Sequence, residues 1–123
     1  MPKTEQFPLI FERLKAILQV YEPNLRVMAD REGKYELIGM YSQKFKKDVW
    51  YGKVEIGKNY VSFHLMPVYM FPDLLQGISE DLRKHMQGKG CFNFTHIDDG
   101  LFEEMEGLTM RSVERVRSSG ELG

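Results

Sequence analysis

The side chains able to do chemistry in this chain are few: one cysteine, Cys91, and three histidines, His64, His85 and His96. Zinc sites usually take four ligands with recognisable local spacing, and the sequence has neither a histidine pair at i,i+4 nor a Cys-x-x-Cys. On this pattern no cofactor is expected. A thiol beside an imidazole is the smallest activated nucleophile, so Cys91 with a histidine is a candidate for covalent chemistry. Cys91 starts a strand instead of opening a helix, where a thiol pKa would fall, and its neighbours Phe92 and Phe94 suit a small buried residue. Gly88-Lys89-Gly90 offers backbone N–H groups and a cation to an anion. It lacks the Gly-x-x-x-x-Gly-Lys-Ser/Thr pattern, however, and a helix stop before a strand explains the same glycines.

Two charged clusters and one aromatic cluster complete the inventory. Lys44, Lys46 and Lys47, with Phe45 among them, form a basic loop that suits phosphates, acidic partners or plain solvent. Asp98, Asp99, Glu103, Glu104 and Glu106 open the last helix, where carboxylates complement the dipole and could hold a hard cation weakly. The densest feature is aromatic and sulfur-rich: Trp50, Tyr51, Tyr60, Phe63, Met66, Tyr69, Met70 and Phe71. By strict alternation Tyr51 and Tyr60 face away from Trp50 and Phe63, so a second face of the sheet needs cover from residues 68–72, a ligand or another subunit.

The elements that must position these groups follow from periodicity. Phe7, Ile10, Phe11, Leu14, Ile17, Leu18 and Tyr21 stack on one face of a first helix. Thr4 is the expected N-cap, Pro8 sits in the first turn, and Pro23 stops the helix. The period then changes to two over residues 25–30, 34–40, 49–56 and 60–65, with turns at Glu32-Gly33 and Gly57-Lys58-Asn59, which predicts an antiparallel meander. Met66 to Pro72, broken by two prolines, reads as a strand end running into a packed loop. A turn at residues 73–76 and a helix over 80–86, capped by Ser79, precede a short strand at 91–94. Asp98 then caps a final helix bearing Leu101, Phe102, Met105, Leu108, Val113 and Val116 on one face. The fold class is α+β, in the order α-β-β-β-β-α-β-α, with a mainly antiparallel sheet of about five strands flanked by helices. A single domain spans residues 1–117, and 118–123 is expected to be a flexible tail.

Composition narrows the function classes. The chain has 123 residues, a size for one core, with 17 Lys and Arg against 18 Asp and Glu and a net charge of −1. That balance argues against a basic nucleic-acid surface, and no apolar run reaches the roughly 18 residues that span a membrane. A lone cysteine excludes an internal disulfide, and Met1–Gln6 lacks the apolar core of a leader, so a cytoplasmic location is expected.

The stretches Trp50–Tyr69 and Leu82–Phe94 resemble the YdhG-like bacterial domain family, over roughly residues 30 to 117. The glycine-lysine element before a short strand and a terminal helix is the most characteristic part. The resemblance implies an α+β fold, and the frataxin-like iron-chaperone label sometimes given to the family implies iron binding. The first helix here carries only Glu5, Glu12 and Glu22, interleaved with Arg13 and Lys15, and the family supplies no catalytic residues to carry over. The leading expectation is therefore a non-enzymatic module that binds a small molecule or a protein, as a homodimer. Its expected ligand-binding residues are Trp50, Tyr51, Tyr60, His64, Tyr69 and Lys89. Iron on the Asp98–Glu106 carboxylates is the alternative, and an enzyme using Cys91 or His64 is the third reading.

Overall fold

A computed structural model describes residues 6–42, 47–88 and 90–119. The side chains of residue 24, of residues 39–50 and of residues 117–119 lie outside that description, as do Thr4, Lys44, Phe45, Lys46 and Lys89 altogether.

The first helix, α1, runs Phe7–Gln19 with Pro8 in its first turn and Gln6 at the N-cap position. The residues spaced three and four apart are the buried ones, from Phe7 to Leu18. A 3-10 turn at Glu22–Asn24 then redirects the chain, because Pro23 cannot continue the helix. Five strands follow: β1 Arg26–Arg31, β2 Lys34–Ser42, β3 Lys47–Ile56, β4 Val61–Leu65 and, much later, β5 Cys91–Phe94. They form one sheet in the order β1-β2-β3-β4-β5, antiparallel at every pairing. The α+β class and the predicted element order are those of the structure.

The register sorts the sheet into two chemically distinct faces. Val54, Phe63 and Phe92 lie in one row across β3, β4 and β5, with Val61 and Phe94 in a neighbouring row, and all five are buried. Tyr35, opposite Val54, and Leu37, opposite Gly52, continue that apolar face into β2. The alternate residues form the other face: Glu36, Lys53 and His64 in one row, and Lys34, Glu55, Ser62 and Asn93 in the next. Cys91 stands directly opposite His64 on that second face.

Strict alternation fails at Tyr51. The β2–β3 register passes from Leu37–Gly52 to Ile38–Trp50, so Tyr51 is the extra residue of a bulge. A bulge turns two successive side chains toward the same side of the sheet. Tyr51 consequently lies in the core with no exposed surface, its hydroxyl donating to the Thr109 carbonyl at 3.3 Å. The expectation that Tyr51 lies on a second, aromatic sheet face is thus corrected: that face is polar.

Two further differences concern the segment after β4. Met66–Met70, expected as a loop, is a short helix, α2, since Pro67 falls in its first turn where no backbone donor is needed. The predicted helix over 80–86 is one turn, α3, Glu80–Arg83, with Leu82 N–H donating to the Ser79 hydroxyl at 3.1 Å. Met86 instead bridges to Phe92 and leads the chain onto the sheet. The last helix, α4, runs Asp99–Ser119, two residues past the expected end. Asp98 Oδ1 accepts from Leu101 N–H at 3.1 Å, the cap read from the sequence. Helices α1, α2 and α4 pack around the apolar face, α1 against β3 and β4 and both α1 and α2 against α4. Among the described residues, no helix is long and apolar enough to cross a membrane.

Candidate functional site

The polar face ends, at β4 and β5, in a cavity of about 230 Å³ lined by His64, Leu65, Met66, Tyr69, Gln87, Gly90 and Cys91. Each wall has a local cause. His64 and Cys91 face each other because they are register partners, which brings β-carbons within about 5 Å. Met66 and Tyr69 arrive on α2, which begins as β4 ends. Gly88, at φ +82°, turns the chain out of the α3 region. Gly90 then passes so close to β4 that a β-carbon on it would stand 2.7 Å from the Leu65 carbonyl oxygen. The same approach lets Leu65 N–H donate to the Gly90 carbonyl at 2.9 Å.

The chemistry is concentrated in His64 and Cys91 and in the side chains that contact or hold them. Cys91 Sγ lies 3.7 Å from His64 Nε2 and 3.4 Å from Asn93 Oδ1, to which the thiol donates. His64 Nε2 is also 3.2 Å from the Ser62 hydroxyl. Asn93 is held in turn, its Nδ2 donating to Gln87 Oε1 at 2.6 Å. Burial lowers the pKa of His64, the Lys53 ammonium adding to the effect and Glu55 opposing it. Burial pushes the Cys91 thiol up, with Lys53 offsetting part of the rise. Both groups are therefore driven toward their neutral forms, the reverse of a thiolate–imidazolium pair.

Of the expected ligand-binding residues, the structure brings His64 and Tyr69 to this cavity. Tyr69 is 59% exposed and forms its rim. Tyr51 is in the core, and Tyr60 sits half-buried in the turn where its carbonyl accepts from Gly57 N–H at 2.8 Å, at the opposite end of β4. Lys89, and the side chain of Trp50, lie outside the described residues. Sequence reasoning missed Gln87 and Gly90 as walls and Asn93 as the support of the thiol. The signal for Asn93 was present, since it lies two residues from Cys91 on the same strand face.

The remaining candidates separate in space. His85 stacks on Phe94 with ring centroids 4.9 Å apart and its Nδ1 is 2.8 Å from the Asn93 carbonyl, while exposed His96 contacts Thr95. The acidic residues at the start of α4 have distinct structural partners: Asp98 caps the helix, Asp99 pairs with Arg13, and Glu104 accepts from Ser79 N–H at 3.1 Å. Among the described residues, no group of three His, Cys, Asp or Glu is placed to hold a metal ion. A larger surface depression of about 480 Å³, lined by residues including Glu103, Glu104 and Arg111, is bordered by three glycines and mixed charge.

Comparison of the chain with protein-family models, with curated proteins and with solved structures gives no match.

Proposed function

We propose that this protein is a non-enzymatic binding module whose ligand occupies the His64–Cys91 cavity. The observation that supports this reading is a cross-strand thiol–imidazole contact of 3.7 Å opening onto a cavity of about 230 Å³, with both groups held neutral by burial. A couple built for nucleophilic catalysis keeps its thiol deprotonated through a nearby positive charge or a helix N-terminus. Here the local forces act in the opposite direction. Among the described residues no carboxylate, arginine or lysine lines the cavity, which suits a small guest that leaves it without net charge. Its volume exceeds the roughly 150 Å³ of an apolar cavity that admits benzene.

Indole is a suitable neutral probe. In a titration followed by backbone amide chemical shifts, movement is expected at Leu65, Met66, Gln87, Gly90 and Cys91. Shifts centred on the depression around Gly77 and Gly100, or none at millimolar indole, would overturn the assignment.

A further inference from the structure

We propose that the ligand of this cavity is a soft monovalent metal ion, cuprous copper, bound by Cys91 Sγ and His64 Nε2 with the Met66 thioether as third donor. The proposal rests on the binding reading above and names its ligand class.

Geometry supplies the first argument. Sulfur and imidazole nitrogen lie about 2.3 Å and about 2.0 Å from a bound metal of this size. At those bond lengths, donors 3.7 Å apart subtend about 115–120° at the ion, a trigonal angle. The two donor atoms thus already stand at chelating separation. The strand register that pairs His64 with Cys91 sets it; on binding, the ion takes the place of the Ser62 hydroxyl at Nε2 and of the thiol proton now donated to Asn93 Oδ1.

Donor type supplies the second. Thiolate, thioether and imidazole select soft or borderline ions, whereas calcium, magnesium and manganese take carboxylate, carbonyl and water oxygens. Among the described residues, the cavity wall carries a cysteine, a histidine and a methionine, and no carboxylate.

Charge supplies the third argument and decides the valence. On binding, the Cys91 S–H bond breaks, its proton leaves to solvent, and sulfur donates its electron pair to the ion; nothing is oxidised or reduced. One thiolate and one monovalent cation sum to zero. A divalent ion would leave a full positive charge in a half-buried site already facing Lys53 from the neighbouring strand, an arrangement that desolvation penalises. Zinc also prefers four ligands.

The test is an anaerobic competition against bicinchoninate, a coloured cuprous chelator, using the full chain. Wild type is expected to withdraw one equivalent of copper and release one proton per ion, and not to take zinc from a zinc indicator under the same conditions. Cys91→Ser and His64→Gln are each expected to weaken affinity by about 100-fold or more, and Met66→Leu by about 10-fold. The amide spectrum and melting curve of each variant without copper, matching wild type away from the cavity, show an intact fold. Failure of wild type to withdraw copper, or full affinity in His64→Gln, overturns the metal assignment, as does equal affinity for zinc. If indole still binds where copper does not, the cavity reading survives and only the metal falls; if neither binds, both fall.

Discussion

Gly90 and Gly88 share one short segment but are glycines for different reasons, and alanine separates them. A β-carbon at Gly90 would lie 2.7 Å from the Leu65 carbonyl oxygen, closer than carbon and oxygen tolerate, and the obstacle is backbone that cannot swing aside. Relief requires the segment to lift from β4, stretching the bond from Leu65 N–H to the Gly90 carbonyl, now 2.9 Å. Leu65 is fully buried, so its donor would lose a partner away from water. An orphaned buried donor costs about 1–3 kcal/mol and forced overpacking a similar amount, so Gly90→Ala should lose about 2–6 kcal/mol. At Gly88 nothing lies within 4 Å of the added carbon, and only the φ of +82° resists. That strain costs about 1–2 kcal/mol. For a chain of this length 1 kcal/mol moves Tm by roughly 3–5 °C, so the two variants should melt about 6–30 °C and about 3–10 °C below wild type, in that order. Thermal melts by circular dichroism, with urea titrations to show an unchanged slope, make the comparison. A Gly88→Ala loss equal to or greater than that of Gly90→Ala would refute the close approach that closes the cavity.

The other expectations follow from single contacts. Tyr51→Phe removes one buried hydroxyl bond and should cost about 0.5–1.5 kcal/mol, while Tyr51→Ala should cost about 3–5 kcal/mol; on a solvated sheet face the alanine change would cost less than about 1 kcal/mol in urea titrations. Because His64 titrates below its ordinary 6.5 in the fold, the unfolded chain binds more protons there. Its contribution is complete above about pH 6.5 and is lost as pH falls toward the folded value, and His64→Gln should flatten that part of the stability profile. Cys91 has the opposite sign: its pKa is raised, so its contribution is complete below the ordinary 9.0 and declines as pH rises through the folded value, a slope Cys91→Ser should abolish. The same shift predicts iodoacetamide alkylation at pH 7 slower than for an unfolded thiol, and a faster rate would contradict the neutral pair. Asp98→Ala removes a helix cap and should cost about 0.5–2 kcal/mol, whereas Asp99→Ala breaks only an exposed ion pair with Arg13 and should cost less than about 1 kcal/mol; unfolding in urea separates the two.

The elements of the fold were largely legible because most of them obey a local rule. The three-four spacing from Phe7 to Leu18 and from Leu101 to Val116 each allows one buried helix face, and both faces are buried as read. The caps at Ser79 and Asp98 were visible for the same reason: side chain and backbone donor lie within three residues. Tyr51 was not legible. A bulge depends on how β3 meets β2, and nothing in Val49–Ile56 alone announces the extra residue. Pro67 also misled, since the same residue that ends a strand can open a helix, and packing of Val68 into the core decides for α2. The site was half visible. His64 and Cys91 were singled out separately, but their contact follows from a register between strands 27 residues apart in sequence. The aromatic surplus drew attention to a sheet face, while the structure places Tyr35 and Tyr51 in the core and leaves a sulfur and imidazole pair beside the cavity.

The assignment of function to the His64–Cys91 cavity is tested most directly by the amide-shift map of the full chain titrated with indole. Saturable movement centred on Leu65, Met66, Gln87, Gly90 and Cys91 is the predicted result. Movement centred elsewhere on the molecule, or an unchanged spectrum at millimolar probe, would contradict it.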